Sequence, residues 1–151
     1  MQARMPNPVM ILPEAMQALQ ALGKVAQTNG VPPKTLELIN LRASQINGCG
    51  VCAVQHPQIA RKLGETDERL FAVVAWREAP YFSDAERAAL ALTEAMTRMS
   101  DRADPVADEI WAEAARHYDQ TTLAALVVAI ANINVWNRIN VATRQVAGQQ
   151  W

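Results

Sequence analysis

The sequence is poor in the residues that most often carry chemistry, with two cysteines, two histidines, two tyrosines and two phenylalanines among 151 residues. Two cysteines cannot build the disulfide framework of a small secreted scaffold. An excess of charge of either sign is also lacking: Lys+Arg 14 against Asp+Glu 15 leaves a net charge of −1. Without a basic field there is nothing to hold nucleic acid or an anionic membrane surface. Charged residues make up only 19% and hydrophobic ones 50%, a balance that excludes intrinsic disorder. Six glycines and eight prolines are too few turn-formers for a many-turned β-sandwich, and no segment alternates polar and apolar as a half-buried strand does. Long apolar runs are missing as well. Val9–Leu12 is closed off by Pro13 and Glu14, too short for a signal segment. Leu123–Ala131 falls short of the ~20 residues that span a membrane. A cytoplasmic location is the default expectation, and there thiols stay reduced unless they work as redox groups.

What is present is a helix-rich chain of 16.6 kDa, the size of one domain over 1–151 and long enough to bury a sizeable core. Pro6, Pro8 and Pro13 predict an extended lead-in. Helices are predicted over Glu14–Gln27, Lys34–Asn47, Cys49 to about Leu63, and Thr66 to about Arg77, with Gly48 as a left-handed stop. Ser83-Asp84-Ala85-Glu86 is a capping box that opens a helix with an Ala/Leu/Met stripe ending near Met99. Asp104-Pro105 predicts a further helix to Tyr118, and the last runs from Thr121 or Thr122 to Val146. The fold class is therefore all-α, with six or seven helices. The last helix is apolar on more than one face, as a helix central to the core or shared between subunits would be.

The distinctive segment is ELINLRASQINGCGVCAVQH, from Glu37 to His56. Cys49 and Cys52 form a C-x-x-C pair, and His56 follows four residues later. On a helix starting at Gly48-Cys49 these three share one face, close to free N–H groups and the positive end of the dipole. That placement lowers a cysteine pKa toward the thiolate, the reactive form. His56 can take the thiol proton, and Glu37 can orient His56 if the two helices pack antiparallel. Nucleophile, base, orienting group and second thiol are the parts of a thiol peroxidase or a dithiol oxidoreductase.

Two alternatives remain from the residues alone. The cysteines can be inert apolar thiols at a spacing that also suits helix packing. Or Cys49, Cys52 and His56, with Glu37 or His117, can ligate zinc. His117, after Arg116, reads as an ordinary helix C-terminal cation. Trp76, Trp111 and Trp136 read as core or interface residues, with lining a peroxide pocket as the alternative for any of them, and Trp151 as a chain end that a neighbouring subunit would have to cover, while Met1, Met5, Met10, Met16, Met96 and Met99 read as gap fillers. Asn132, Asn134, Asn137 and Asn140 are unusual inside a helix and require hydrogen-bond partners at backbone or at another helix.

The same segment resembles the motif of the alkylhydroperoxidase D-like branch of the carboxymuconolactone decarboxylase family: a glutamate, eleven residues, C-x-x-C, three residues, a histidine. Glu37, Cys49, Cys52 and His56 match it without a gap. INGC and NVWNRINVATRQ (Asn134–Gln145) resemble the family too, and the likeness spans 32–148, most of the chain from Pro32 onward. The resemblance implies an all-helical fold assembled as homotrimers or homohexamers. It implies reduction of an alkyl hydroperoxide or hydrogen peroxide through a cysteine sulfenic acid and a disulfide, with no cofactor. Cys52 would be the peroxidatic thiol and Cys49 the resolving one, with Glu37 and His56 as proton relay. A dithiol reductant, such as a lipoyl-bearing protein, is the implied partner. Where many relatives place a histidine or tyrosine between the cysteines, this chain has Val51, one polar group fewer for the relay. A redox-sensing or disulfide-exchange protein is the alternative that this departure favours. The lactone-decarboxylating branch generally lacks the cysteine pair.

Overall fold

A computed structural model of the protein describes residues 1–100 and 102–148, so Trp151 lies outside the described residues. The elements in chain order are α1 (Pro8–Ile11), α2 (Pro13–Thr28), α3 (Pro33–Asn47), α4 (Gly50–Lys62), α5 (Asp67–Ala72), a 3₁₀ turn (Val73–Ala75), α6 (Asp84–Thr97), α7 (Asp108–His117) and α8 (Gln120–Ala142). The all-α expectation holds. Eight α-helices stand among the described residues where six or seven were expected, because the proline-rich lead-in is not extended throughout. Asn7 accepts the Val9 amide and Pro8 takes the first helical position, so one short helical turn forms there and buries Val9.

α8 is the axis of the fold. It packs against α2 and α3, with further contacts to α6, α4 and α7. Its length and composition alone would let it cross a membrane, yet half of its most apolar stretch is buried inside this fold. Leu126, Ile130 and Leu123 join Leu36, Ile39, Ala89 and Leu92 in the largest apolar cluster. A second cluster holds Leu38, Leu41, Leu70, Val73, Trp76, Phe82 and Leu90. Glu94 of α6 anchors that side. It accepts from Arg42 Nε at 2.7 Å, Trp76 Nε1 at 3.0 Å and Arg77 Nη1 at 2.7 Å. Burial alone would raise its pKa, but these donors from Arg77, Trp76 and Arg42 hold the carboxyl down at about 2.

Three boundaries differ from expectation by more than two residues. The helix capped by Thr66 ends at Ala72 rather than near Arg77. The β-branched pair Val73-Val74 tightens into a 3₁₀ turn that buries Val73 and delivers Trp76 to Glu94. α7 starts at Asp108, not Asp104: Val106 packs against the core, and Asp108 and Glu109 supply the acidic first turn. α8 stops at Ala142, not Val146. Thr143 bonds back to the Ile139 carbonyl at 2.7 Å and Arg144 turns left-handed at φ 54°. The capping box at Ser83 and Glu86 and the left-handed stop at Gly48 form as expected.

Gly30 (φ 90°) ends the link after α2, and a Cβ there would stand 2.6 Å from Thr122 Oγ1 at the start of α8. Gly48 (φ 68°) has open space around it. Gly48→Ala should therefore lower stability by about 1 kcal/mol through backbone strain alone, and Gly30→Ala by about 2–3 kcal/mol. Urea unfolding midpoints of the two variants measure the difference. Equal losses would mean that Thr122 yields freely.

Candidate functional site

Gly48 and Cys49 form the two-residue break between α3 and α4. The left-handed backbone of Gly48 ends α3, with the chain closing through its own N–H onto the Ser44 carbonyl. Cys49 then takes the N-cap position of α4, where its sulfur accepts the Cys52 amide at 3.4 Å. α3 and α4 fold back on each other as a hairpin. The reversal brings Glu37, near the start of α3, to His56 on α4: Glu37 Oε2 lies 2.7 Å from His56 Nδ1, with both side chains mostly buried. A carboxylate only accepts, so Nδ1 carries the proton and Nε2 is left free. Cys52 and His56 are one turn apart on the same helix face.

Glu37, Cys52 and His56 line one cavity of about 730 Å³. Its wall is apolar along Met16, Leu19, Leu36, Ile59, Ile133 and Trp136. Cys49 does not line it; its side chain is buried with Ala43, Val51 and Ile133. All four residues singled out from the sequence are thus gathered at one place, with one sulfur facing the cavity and the other behind it. Both cysteines are free and buried thiols.

The expected source of thiol acidity is corrected in part. The helix N-terminal amide goes to Cys49, not to both sulfurs. Cys52 is nevertheless lowered from 9.0 to about 6, because the Cys49 thiol hydrogen-bonds to its sulfur. Burial opposes that, Asn140 and Asn137 add to it, and the charge of His56 helps least. Asn140 Nδ2 lies 3.4 Å from Cys52 Sγ and 3.8 Å from Cys49 Sγ. Cys49 moves the other way, well above the usual thiol range, since its proton serves Cys52 and its surroundings are buried. The pair is therefore poised as one thiolate and one thiol.

The α8 asparagines supply what the four-residue motif does not. Asn137 donates to Ser44 Oγ at 3.0 Å, and Asn47 donates to both Asn134 and Asn137 at 2.9 Å. Asn132 donates to the Leu19 carbonyl at 3.3 Å. Their need for partners was legible, but not that Asn140 reaches the sulfurs. Asn7, which donates to Asn140 Oδ1 at 2.9 Å, was missed; its signal was the Asn-Pro pair that marks a helix start. His117 bonds Glu113 Oε1 at 3.1 Å and does not line this cavity. Among the described residues no three His, Cys, Asp or Glu side chains stand together to hold a metal ion, so the zinc alternative finds no ligand set here. Trp76 is core as expected, Trp136 lines the cavity, and Trp111 is exposed.

The sequence matches the model of the carboxymuconolactone decarboxylase family over residues 13–95. It is 39% identical to the uncharacterized protein YdfG of Bacillus subtilis over 87% of this chain and 88% of that one. A 48-residue stretch is 40% identical to the alkyl hydroperoxide reductase AhpD of Acidobacterium capsulatum, covering 32% of this chain and 26% of that protein. Among solved structures, a protein of unknown function from Agrobacterium tumefaciens, whose name assigns it provisionally to AhpD-type antioxidant defence, superposes with a TM-score of 0.89. That likeness has 32% identity and covers 99% of this chain and 100% of that one. The debrominase Bmp8 superposes with a TM-score of 0.81 at 23% identity, covering 92% of this chain and 74% of that one, a likeness of fold.

A lowered Cys52 pKa means that the thiolate is present above about pH 6 and lost as pH falls through it. Alkylation of Cys52 should rise through that pH and level off above it. Cys49→Ala, which removes the main donor, should move the midpoint up by about one unit or more. Thiolate absorbance against pH reads both; a wild-type midpoint near 9 would contradict the geometry.

Proposed function

The chain belongs to the carboxymuconolactone decarboxylase family, and on its resemblance to the alkylhydroperoxidase D-like branch and the arrangement of its dithiol we propose that it is a cysteine-based hydroperoxide reductase. The observation that carries this is the division of labour between the sulfurs: an acidified Cys52 faces the cavity beside the Glu37–His56 pair, and a protonated Cys49 stands behind it.

In this reading the Cys52 thiolate attacks the distal oxygen of a hydroperoxide ROOH. The S–O bond forms as the O–O bond breaks, and the leaving alkoxide takes a proton to become ROH. His56, oriented through Nδ1 by Glu37, first takes the Cys52 thiol proton on Nε2 as the thiolate forms, and delivers that same proton to the alkoxide directly or through a water. Cys49 then attacks the Cys52 sulfenic acid, water leaves, and a Cys49–Cys52 disulfide results. An external dithiol, of which a lipoyl-bearing protein is one form, reduces the disulfide and is itself oxidised. The sum is ROOH plus dithiol giving ROH, water and disulfide.

The cavity also bears on the substrate. About 730 Å³, open to solvent and walled by apolar residues on one side and by Gln20, Lys24, Asn40 and Gln55 among others on the rest, has room for an organic molecule and is far larger than hydrogen peroxide needs, which favours alkyl hydroperoxides. The second reading, disulfide exchange without peroxide turnover, draws on Val51, which packs into the apolar cluster around the cysteines where many relatives place a polar group.

Peroxide consumption with dihydrolipoamide or dithiothreitol as reductant tests the proposal. Wild-type protein should turn over an alkyl hydroperoxide faster than hydrogen peroxide, Cys52→Ser should abolish turnover, and Glu37→Gln should lower it by about 10²-fold. Unchanged turnover in Cys52→Ser would overturn the assignment. A wild-type disulfide that equilibrates with dithiols but consumes no peroxide would leave the exchange reading in its place.

A further inference from the structure

The N-terminal segment is stitched along the end of α8. The Arg4 amide donates to the Thr143 carbonyl at 2.9 Å, and its guanidinium to the Ala142 carbonyl at 2.9 Å. Gln145 Nε2 donates to the Met5 carbonyl at 3.0 Å. The two Arg4 contacts serve carbonyls at the end of α8, which lack partners within it, and with the Gln145 contact they seat Asn7, itself buried, against the dithiol site.

A chain of amides then fixes which atom faces the sulfurs. A backbone N–H can only donate, so the atom of Asn7 that meets the Val9 amide at 3.2 Å is its oxygen. The other end of Asn7 is therefore its NH₂ group, which donates to Asn140. The facing atom of Asn140 is then its oxygen, and its own NH₂ group is turned toward Cys52 and Cys49. Had Asn140 turned the other way, a carbonyl dipole would face the sulfur and disfavour the thiolate. The polarity of this buried amide at the reacting sulfur is thus set one residue further out, in the lead-in.

We propose that Asn7 is a positioning residue that, through Asn140, holds an N–H donor on the Cys52 sulfur and so sets its reactivity. The titratable groups around that sulfur are Cys49 at the N-cap of the same helix and His56 one turn on, with Glu37 from α3 acting through His56 and Lys24 of α2 lining the same cavity. α8 presents Asn137 and Asn140 and the lead-in presents Asn7, none of which titrates. The proposal rests on the dithiol reading only in taking Cys52 as the reacting thiol. Its test uses no peroxide, so its failure and failure of the peroxidase are told apart.

Asn7→Asp separates positioning from mere capping. Aspartate caps a helix as well as asparagine does, so the Val9 contact survives, but a carboxylate cannot donate to Asn140 and drives that amide to turn over. Iodoacetamide alkylation of Cys52 is followed against pH, with peptide mass mapping to assign the thiol, in wild type, Asn7→Asp, Asn7→Ala, Asn140→Ala and the Asn7→Asp/Asn140→Ala double variant. The midpoint should rise by about one unit in Asn7→Asp, making alkylation at pH 6 about five-fold slower. Asn7→Ala should move it the same way by less. In the Asn140→Ala background Asn7→Asp should add nothing, because its effect is routed through that amide. An unchanged midpoint in Asn7→Asp, or an equal shift in both backgrounds as a bare charge effect would give, overturns the proposal. If Asn7→Asp does not fold, an unshifted midpoint in Asn7→Ala overturns it equally.

Discussion

The site depends on one backbone constraint, the left-handed residue at position 48. A helix cannot continue through that conformation, so α3 ends at Asn47 and α4 begins at Gly50, two residues past position 48. Cys49 thereby becomes an N-cap instead of a mid-helix residue, and its sulfur accepts the Cys52 amide. The same reversal sets α3 against α4, which is what lets a carboxylate nineteen positions away meet His56. Continue the helix through 48 and the cap and the Glu37–His56 pair would both be lost, although every residue of the motif would remain.

Around that constraint the protein places polar groups where an apolar core would be cheaper. α8 runs through the middle of the fold, yet it carries Asn134, Asn137 and Asn140 buried on its inner side. Buried amides are tolerated only when paired. Here Ser44, Asn47, Thr97 and Asn7 pair them. Donors fixed in this way meet the Cys52 sulfur without having to reorganise as charge develops there, which is the electrostatic preorganisation that thiol chemistry uses. The acidity of Cys52 is therefore a property of three separated segments: α4, the end of α8 and the lead-in.

Much of this was legible in the sequence, for identifiable reasons. Glu37, Cys49, Cys52 and His56 are bound by local spacing and one turn, so their convergence followed once Gly48 was seen as a break. The capping box at Ser83 and Glu86 is equally local. Asn140 and Asn7 are 133 positions apart, and no periodicity links them; their meeting is a product of tertiary packing. The ends of α7 and α8 were misjudged for a similar reason. Val106 packing on the core and Arg4 binding the α8 carboxyl-terminal carbonyls override what local composition suggests. The helix-terminus account of thiol acidity named the right element but the wrong recipient, since the amide serves Cys49 and Cys49 in turn serves Cys52.

The central claim is that Cys52 is the thiol that meets the peroxide. The most direct measurement is trapping of the sulfenic acid with dimedone after one equivalent of alkyl hydroperoxide, in Cys49→Ser and in Cys52→Ser, read by mass spectrometry of the intact chain. The account predicts stoichiometric adduct on Cys52 in Cys49→Ser and essentially none in Cys52→Ser. Equal or greater labelling of Cys49 in Cys52→Ser would contradict it.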